Sequence, residues 1–599
     1  MKLNITLKVK SMSTFVKCYF KIVGNYPYCK FIVKTTTYLK RLTLALICAS
    51  YSIDVAAAPP LAEQNKAISD QQLIYQQERQ KAVEQSLSNQ EPDVRLLPPQ
   101  LHSNTLNFPQ ESPCFPIDNV VLEERKALPF TVPLSTLLKQ AQGQCLGGEG
   151  INLLMSELQN RLISYGYITT RVVAPEQDLT SRTLTLLLVK GTVRDIYYSD
   201  ESDKHSSLLT AIPSHKGDLL NLRDIEQGLE NLQRVPTVSA NMQLVPGDAP
   251  GESDIVITRH QSKFWRVGVS LDDSGTKDTG RYQGGLTLYL DNPLGLSDSF
   301  YLSGGHDLNR NSDYGSKNYL FSYSVPIGYW AFNSSVSGNT YHQVIAGDPS
   351  YKYSGRSRNT NFQLSRVIHR NESQKTTLSF GLNLRESKNY IDDTQVNIQH
   401  RKTTSWVLGI NHRHYFDDIT LDVGASYKKG VRWFEAQKAP EEYSGYGTAL
   451  SDIFNINASL AVPFQLGTQS FRYNIDYQGQ FTRRGDLTPP ERFSIGSRWT
   501  VRGFDGEQTL SADSGWFIRN ELSWVTPLNN ELYLGVDTGE VSGANSGYLL
   551  GKKLTGSALG VRGSLWGIYY DTFAAVPISK PDGYRTDSVN LGFNVNWSY

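Results

Sequence analysis

From Phe264 to Tyr599, the last 336 residues alternate apolar and polar side chains at period two, segment after segment. Successive side chains of a strand point to opposite faces, so each segment turns one face toward an apolar phase and the other toward water. About sixteen such segments start near 264, 281, 297, 316, 328, 358, 374, 404, 418, 454, 469, 515, 531, 555, 569 and 587. Val267, Val269 and Leu271 alternate with Gly268 and Ser270; Leu286, Leu288 and Leu290 alternate with Thr287 and Tyr289. The last segment sets Leu591, Phe593, Val595, Trp597 and Tyr599 against Gly592, Asn594, Asn596 and Ser598. A soluble sandwich rarely runs to so many strands without helices. An even number of strands, with short turns alternating with longer loops, predicts a closed transmembrane β-barrel. A mean hydropathy of −0.38 does not oppose this, because alternation hides apolar character from an average. A barrel of this size encloses a water-filled channel unless something occupies it.

One connection, 483–514, is far longer than a hairpin needs and carries spaced aromatics (Phe493, Trp499, Phe504), which predicts an ordered, packed loop. The next two strands supply partners for its arginine, Arg502. Period two places Phe517, Arg519, Glu521 and Ser523 on one face of the first strand, and Tyr533, Gly535, Asp537 and Gly539 on the polar face of the second. Glu521 and Asp537 then both face the barrel interior. An arginine carried inside by the loop can fork onto either carboxylate and hold the loop to the wall.

Residues 1–53 hold no Asp or Glu. Lys40-Arg41 precede the apolar run Leu42–Ala49, and Val55-Ala-Ala57 offers small residues for cleavage, so 1–57 is read as an extended secretory signal. No later segment is long and apolar enough for a transmembrane helix. Three of the five cysteines fall in that leader. Cys114 and Cys145 remain, and an even pair in an exported chain predicts a disulfide worth ~3 kcal/mol on the loop-entropy account, two buried free thiols being the alternative. No Cys/His spacing suggests a metal. Residues 58–85 predict a helix with few apolar positions (Leu61, Ile68, Leu73, Ile74, Val83), hence little to bury in an ordinary core. Residues 86–112, rich in Pro, Ser and Asn, read as an extended linker.

Two units follow, 113–191 and 192–262, each ordered strand–helix–helix–strand–strand. In the first, Leu154, Leu158 and Leu162 line one helix; in the second, Leu222, Ile225, Leu229 and Leu232 do. Open strand edges in such units can take up an extended polypeptide through backbone bonds, largely independent of its sequence.

The run Glu491–Phe504, with Asp513-Ser-Gly-Trp516 and Asn520-Glu521-Leu522, resembles the sixth loop and following strand of the two-partner secretion transporters. These are the haemolysin secretion/activation proteins of Gram-negative outer membranes. Their loop tetrad, Val-Arg-Gly-aromatic, is matched by Val501, Arg502, Gly503 and Phe504, and their strand aspartate by Asp537. The two units are similar to POTRA domains, with Gly166–Arg171 and Pro175–Leu179 matching the first; Arg182 replaces a usually small residue, and Lys190-Gly191 a Pro-Gly. The resemblance implies a barrel of 263–599 in the outer membrane, POTRA domains in the periplasm and an N-terminal helix plugging the lumen. It implies that Arg502 pairs with Asp537, with Glu521 second. An unfolded exoprotein (a haemolysin, adhesin or contact-dependent toxin) would dock on the POTRA domains and leave through the barrel, and activation in transit is open. The aromatic C-terminal strand (Phe593, Trp597, Tyr599) resembles the signal read by barrel-assembly machinery. An outer-membrane insertase of the same superfamily is the alternative; two POTRA-like units, the helix and Cys114/Cys145 favour secretion. With net charge +1 and 20% charged residues no nucleic-acid partner is expected. No nucleophile-elbow, zinc-protease, Walker or dinucleotide motif occurs, so neither enzyme activity nor a cofactor is expected.

Overall fold

The computed structural model describes residues 61–88, 92, 94–96 and 105–599 except 347 and 484, and the backbone of three strands, Asn4–Leu7, Val16–Val23 and Tyr26–Val33. The chain divides into two units, Met1–Glu63 and Gln64–Tyr599. In the first, the three strands form one antiparallel sheet; the apolar run and cleavage site of the expected leader lie outside the described residues.

In the second unit, sixteen antiparallel strands among the described residues close into a barrel, from Trp265–Asp272 to Asn590–Ser598. Closure runs through five register pairs, Gly268↔Ser598 to Asp272↔Asn594. The alternation has its predicted consequence: Leu286 and Leu288 are 60% and 41% exposed on the outside, while Thr287 between them is buried inside. Such an apolar band is stable only in lipid. The strand expected near 358 begins instead at Tyr351 and runs 20 residues to Arg370. At ~3.3 Å per residue it outreaches the hydrocarbon layer, and in its outer end the exposed side chains are Lys352 and Arg356 and the buried one Tyr353, the reverse of the lipid-facing pattern.

In the first POTRA-like unit, a sheet ordered Asn119–Glu123, Thr183–Val189, Arg171–Val173 is backed by helix Gly148–Ser164. Leu154, Leu158 and Leu162 of that helix are wholly buried with Leu184, Leu186 and Ile117. The first strand of this unit is interrupted at Asp118, and its first half, Phe115–Ile117, pairs with a short additional strand, Gln144–Leu146. Cys114 and Cys145 are disulfide-bonded, their Cα atoms 5.4 Å apart, stapling the end of that pair. Arg182 stands at φ 62°, which explains why a small residue suits the position, and bonds Asp118 at 2.9 Å. In the second unit, helix Leu222–Gln233 packs on a sheet ordered Val238–Pro246, Glu252–Gln261, Thr192–Tyr198. This second unit docks on one end of the barrel: Gly328 N–H donates to Thr210 O (2.7 Å), and Asn292 Nδ2 to His205 O (3.0 Å).

From Asp70 on, helix Leu61–Leu87 lies in the lumen. It buries Gln72, Gln76, Arg79 and Gln80 as well as Leu73, Ile74 and Tyr75, in a lumen whose wall is itself largely polar. Val83 and Leu87 rest on Tyr289, Tyr301 and Leu320.

Candidate functional site

Strands Ser514–Val525 and Glu531–Ser542 pair in register, Arg519↔Asp537 and Glu521↔Gly535. Their alternation carries Glu521 and Asp537 to the lumen side, while Leu522, Leu532, Leu534 and Val536 face outward. The connection ahead of them, 483–513, enters the barrel and folds on itself: Phe493–Ile495 pairs with Leu510–Ala512. Asp513, where the loop rejoins the wall, accepts Asp486 N–H (3.2 Å) and Leu487 N–H (2.9 Å), tying the two ends of the loop together. Val501 and Phe504 are buried in a small apolar core with Ile495, Leu510, Phe517, Val541 and Leu554.

Between those two anchors Arg502 meets the wall. Its Nε and Nη2 donate to the two oxygens of Asp537 at 2.7 and 2.8 Å, and its backbone N–H to the same carboxylate at 3.0 Å. Nη1 donates to Glu521 at 2.6 Å. The side chains of Arg502 and Asp537 are 4% and 0% exposed and that of Glu521 12%, so this is a desolvated, bidentate ion pair with a second carboxylate alongside. Arg562 continues the chain, bridging Glu521 (2.8 Å) and Glu531 (2.6 Å). Arg519 stands 3.8 Å from Asp537. Three guanidiniums thus face three carboxylates, and the buried charge is balanced.

The floor beneath the arginine is glycine. A Cβ on Gly535 would fall 2.2 Å from Arg502 Nη2, and one on Gly556 1.9 Å from Arg502 O. Gly503 has φ 111°, and a Cβ there would come within 2.5 Å of Val576 O. The loop backbone therefore lies directly on the wall, and Asn590 Nδ2 donates to Gly503 O at 2.7 Å.

The lumen helix binds this same loop. Ser497 Oγ donates to Glu78 (2.7 Å), Gln71 donates to Glu507 O, and the Tyr75 ring lies 5.3 Å from that of Trp499. The helix also holds the wall, through Tyr75 Oη to Ser274 O (2.8 Å), Arg79 to Ser274 Oγ (3.0 Å) and Asp70 to Arg401 (3.1 Å). Beside it remains a cavity of about 830 Å³ edged by Asn361, Asn383 and Ser405.

Arg502, Asp537 and Glu521 are thus together, with Val501, Gly503 and Phe504 seated around them. Cys114 and Cys145 lie apart in the first periplasmic unit, and Trp597 and Tyr599 on the outer face beside the closure. Sequence reasoning placed Gly535 on the inward face and Asp513 in the loop motif without giving either a role, and did not single out Arg562, Gly556 or Glu78. Arg562 occupies an inward position of its strand, so the same alternation could have raised it.

A closed outer-membrane barrel with a looped-in arginine, a lumen helix and two periplasmic POTRA domains defines a polypeptide transporter of the outer membrane. Residues 251–563 match the haemolysin secretion/activation protein family ShlB/FhaC/HecB; 115–191 match its ShlB-type POTRA domain and 192–246 a further POTRA domain. The outer membrane transporter CdiB-2 of Burkholderia pseudomallei is 36% identical over 90% of this chain and 94% of its own. The hemolysin transporter ShlB of Serratia marcescens is 26% identical over 84% and 89%. The solved structure of CdiB from Acinetobacter baumannii superposes with a TM-score of 0.77 at 30% identity, over 89% of this chain and 99% of that one. The chain belongs to the ShlB/FhaC/HecB family, the outer-membrane transporters of two-partner secretion.

Proposed function

We propose that the protein takes one large exoprotein from the periplasm, unfolded, and passes it through the barrel when the lumen helix and the 483–513 loop yield together. The observation that carries this is the double attachment of the loop: Arg502 fastens it to the wall, and Ser497 and Glu507 fasten it to the helix. A change that frees one loosens the other. The open edges of the periplasmic sheets, Arg171–Val173 and Val238–Pro246 among them, offer backbone groups to an extended client. Folding of the cargo outside makes return unfavourable, so no nucleotide is needed. Relatives called CdiB match at up to 36% identity and the haemolysin transporters at 26–27%, which supports a cargo of the kind CdiB proteins export.

The test is Arg502→Ala. Removing one partner of a buried pair costs roughly 3–5 kcal/mol, and secretion is expected to stop while the barrel still assembles. Undiminished secretion refutes the role given to the pair. Deleting the gene distinguishes transport from insertion, since loss of one secreted protein is expected and depletion of many barrels would refute it.

A further inference from the structure

The outer surface of the barrel changes character along one line. Strands Tyr351–Arg370, Gln374–Ile391 and Arg401–Phe416 are neighbours, and their register sets Phe362, Leu382 and Trp406 in one outward row. The next row is Thr360, Leu384 and Thr404, and the one after it Arg358, Glu386 and Lys402; Arg356 and Lys388 stand above them. At the other end of these strands Arg370 meets Glu226 and Glu230 of the second POTRA domain, so the charged rows face the cell exterior. Rows two residues apart are ~6.6 Å apart along a strand. The cations therefore begin one step above the last apolar side chain, Leu384, at the depth where hydrocarbon gives way to lipid headgroups.

Charge on this face is unbalanced. Arg356, Arg358, Lys388 and Lys402 share these rows with a single carboxylate, Glu386. Glu386 is already engaged by Lys388 (2.8 Å) and His400 (3.1 Å), and Lys402 turns to Glu435 of the adjoining loop (2.7 Å). Among the described residues, neither Arg356 nor Arg358 forms an ion pair. A cavity of about 120 Å³ opens here, lined by Arg358, Thr360, Leu384, Lys402 and Phe434. Phe434 and Glu435 stand at φ 54° and 61°, a conformation that bulky side chains adopt only where their surroundings impose it. Gln437 N–H fastens the same loop to Lys402 O at 2.8 Å. Phe434 is thus held at the cavity although it is 59% exposed, which suits an aromatic ring at the edge of a lipid layer.

These features select one kind of ligand. An unpaired arginine beside a lysine suits a phosphate, which the guanidinium fork takes through two oxygens. Apolar rows directly beneath suit acyl chains of the same molecule, and the ring at the boundary suits the apolar face of a sugar. We propose that this patch binds the phosphorylated, acylated glucosamine head of lipopolysaccharide, the lipid of the outer leaflet. One phosphate occupies the cavity between Arg358 and Lys402, Arg356 and Lys388 meet the remaining negative charge, and acyl chains lie along Phe362, Leu382 and Trp406. The site is on the lipid side of the wall, apart from the loop and helix inside, and does not depend on the transport reading.

The probe is lipid A carrying both phosphates, added to the full-length protein in detergent micelles, with retention read by native mass spectrometry. The double variant R358Q/K402Q is expected to bind it about tenfold more weakly than the unaltered protein. Arg366→Gln, the same change on the same strand toward the periplasmic end, is expected to leave retention as it was. Inorganic phosphate in large excess is expected not to displace the lipid, and phosphatidylglycerol to be retained less well than lipid A. Phe434→Ala leaves every charge in place and is expected to weaken retention severalfold. Equal retention by R358Q/K402Q, or equal loss in Arg366→Gln, overturns the site. Displacement by phosphate alone, or equal retention of phosphatidylglycerol, overturns its assignment to this lipid. Should the double variant fail to assemble, undiminished retention by Phe434→Ala overturns the site instead.

Discussion

At the scale of single residues, the arginine depends on what is absent beneath it. Gly535→Ala introduces a methyl group 2.2 Å from Arg502 Nη2 while leaving every charged group in place. It is expected to abolish secretion nearly as completely as Arg502→Ala, with a heat-modifiable barrel still visible on a gel; undisturbed secretion would mean that the fork tolerates displacement. Arg502→Lys keeps the charge but reaches one oxygen where three nitrogens now bond, so it is expected to fail as well. Arg502, Asp537 and Glu521 were legible because period two assigns each strand residue to a face. The rest of the cluster was not, because Arg562 comes opposite Glu531 only through the register between neighbouring strands. Alternation within a strand carries no information about register.

At the scale of elements, the first POTRA domain owes part of its stability to a covalent staple. Cys145→Ser is expected to lower its unfolding free energy by about 3 kcal/mol and to leave the barrel's melting unchanged, which calorimetry of the full chain can separate. The second domain is held to the barrel by charge. Burial opposes ionisation of Glu230, but Lys375 and Arg370 more than offset it and hold its carboxyl below the usual range. A depressed carboxyl adds stability above its free value of about 4.3 and gives it up as pH falls through the folded value. Protection factors in Leu222–Gln233, taken against intrinsic exchange at each pH, are therefore expected to hold from neutrality down to the free carboxyl range and to fall at lower pH. Unchanged protection in acid would exclude this contribution. The helices and longer strands of these domains were legible from their periodicity. Strand Gln144–Leu146 was not: three residues between Gly143 and Gly147 are too few to show a period, and only pairing with Phe115–Ile117 makes them a strand.

At the scale of the whole molecule, the barrel was the most legible part, because lipid outside and water inside impose one rule on some sixteen segments. The long outer end of Tyr351–Arg370 escaped it, since beyond the hydrocarbon its exposed face carries Lys352 and Arg356 while the aromatic Tyr353 is the side chain that is wholly buried. That the lumen helix and the loop would grip each other was not legible, because neither partner's side chains announce the other. Deleting 61–87 is expected to raise single-channel conductance severalfold in planar bilayers, the remaining channel being that of a barrel narrowed by the loop alone; unchanged conductance would mean that the helix does not obstruct the pore. The makeup of that helix has a further consequence. An amphipathic cork would cling to the hole it left or clump with its neighbours, having grease to hide. This one is sheathed largely in glutamines and charges that water satisfies as readily as the barrel does. Under the transport cycle proposed above, such a helix is expected to leave the barrel and return to it repeatedly without aggregating, as water and the polar lumen suit the same side chains.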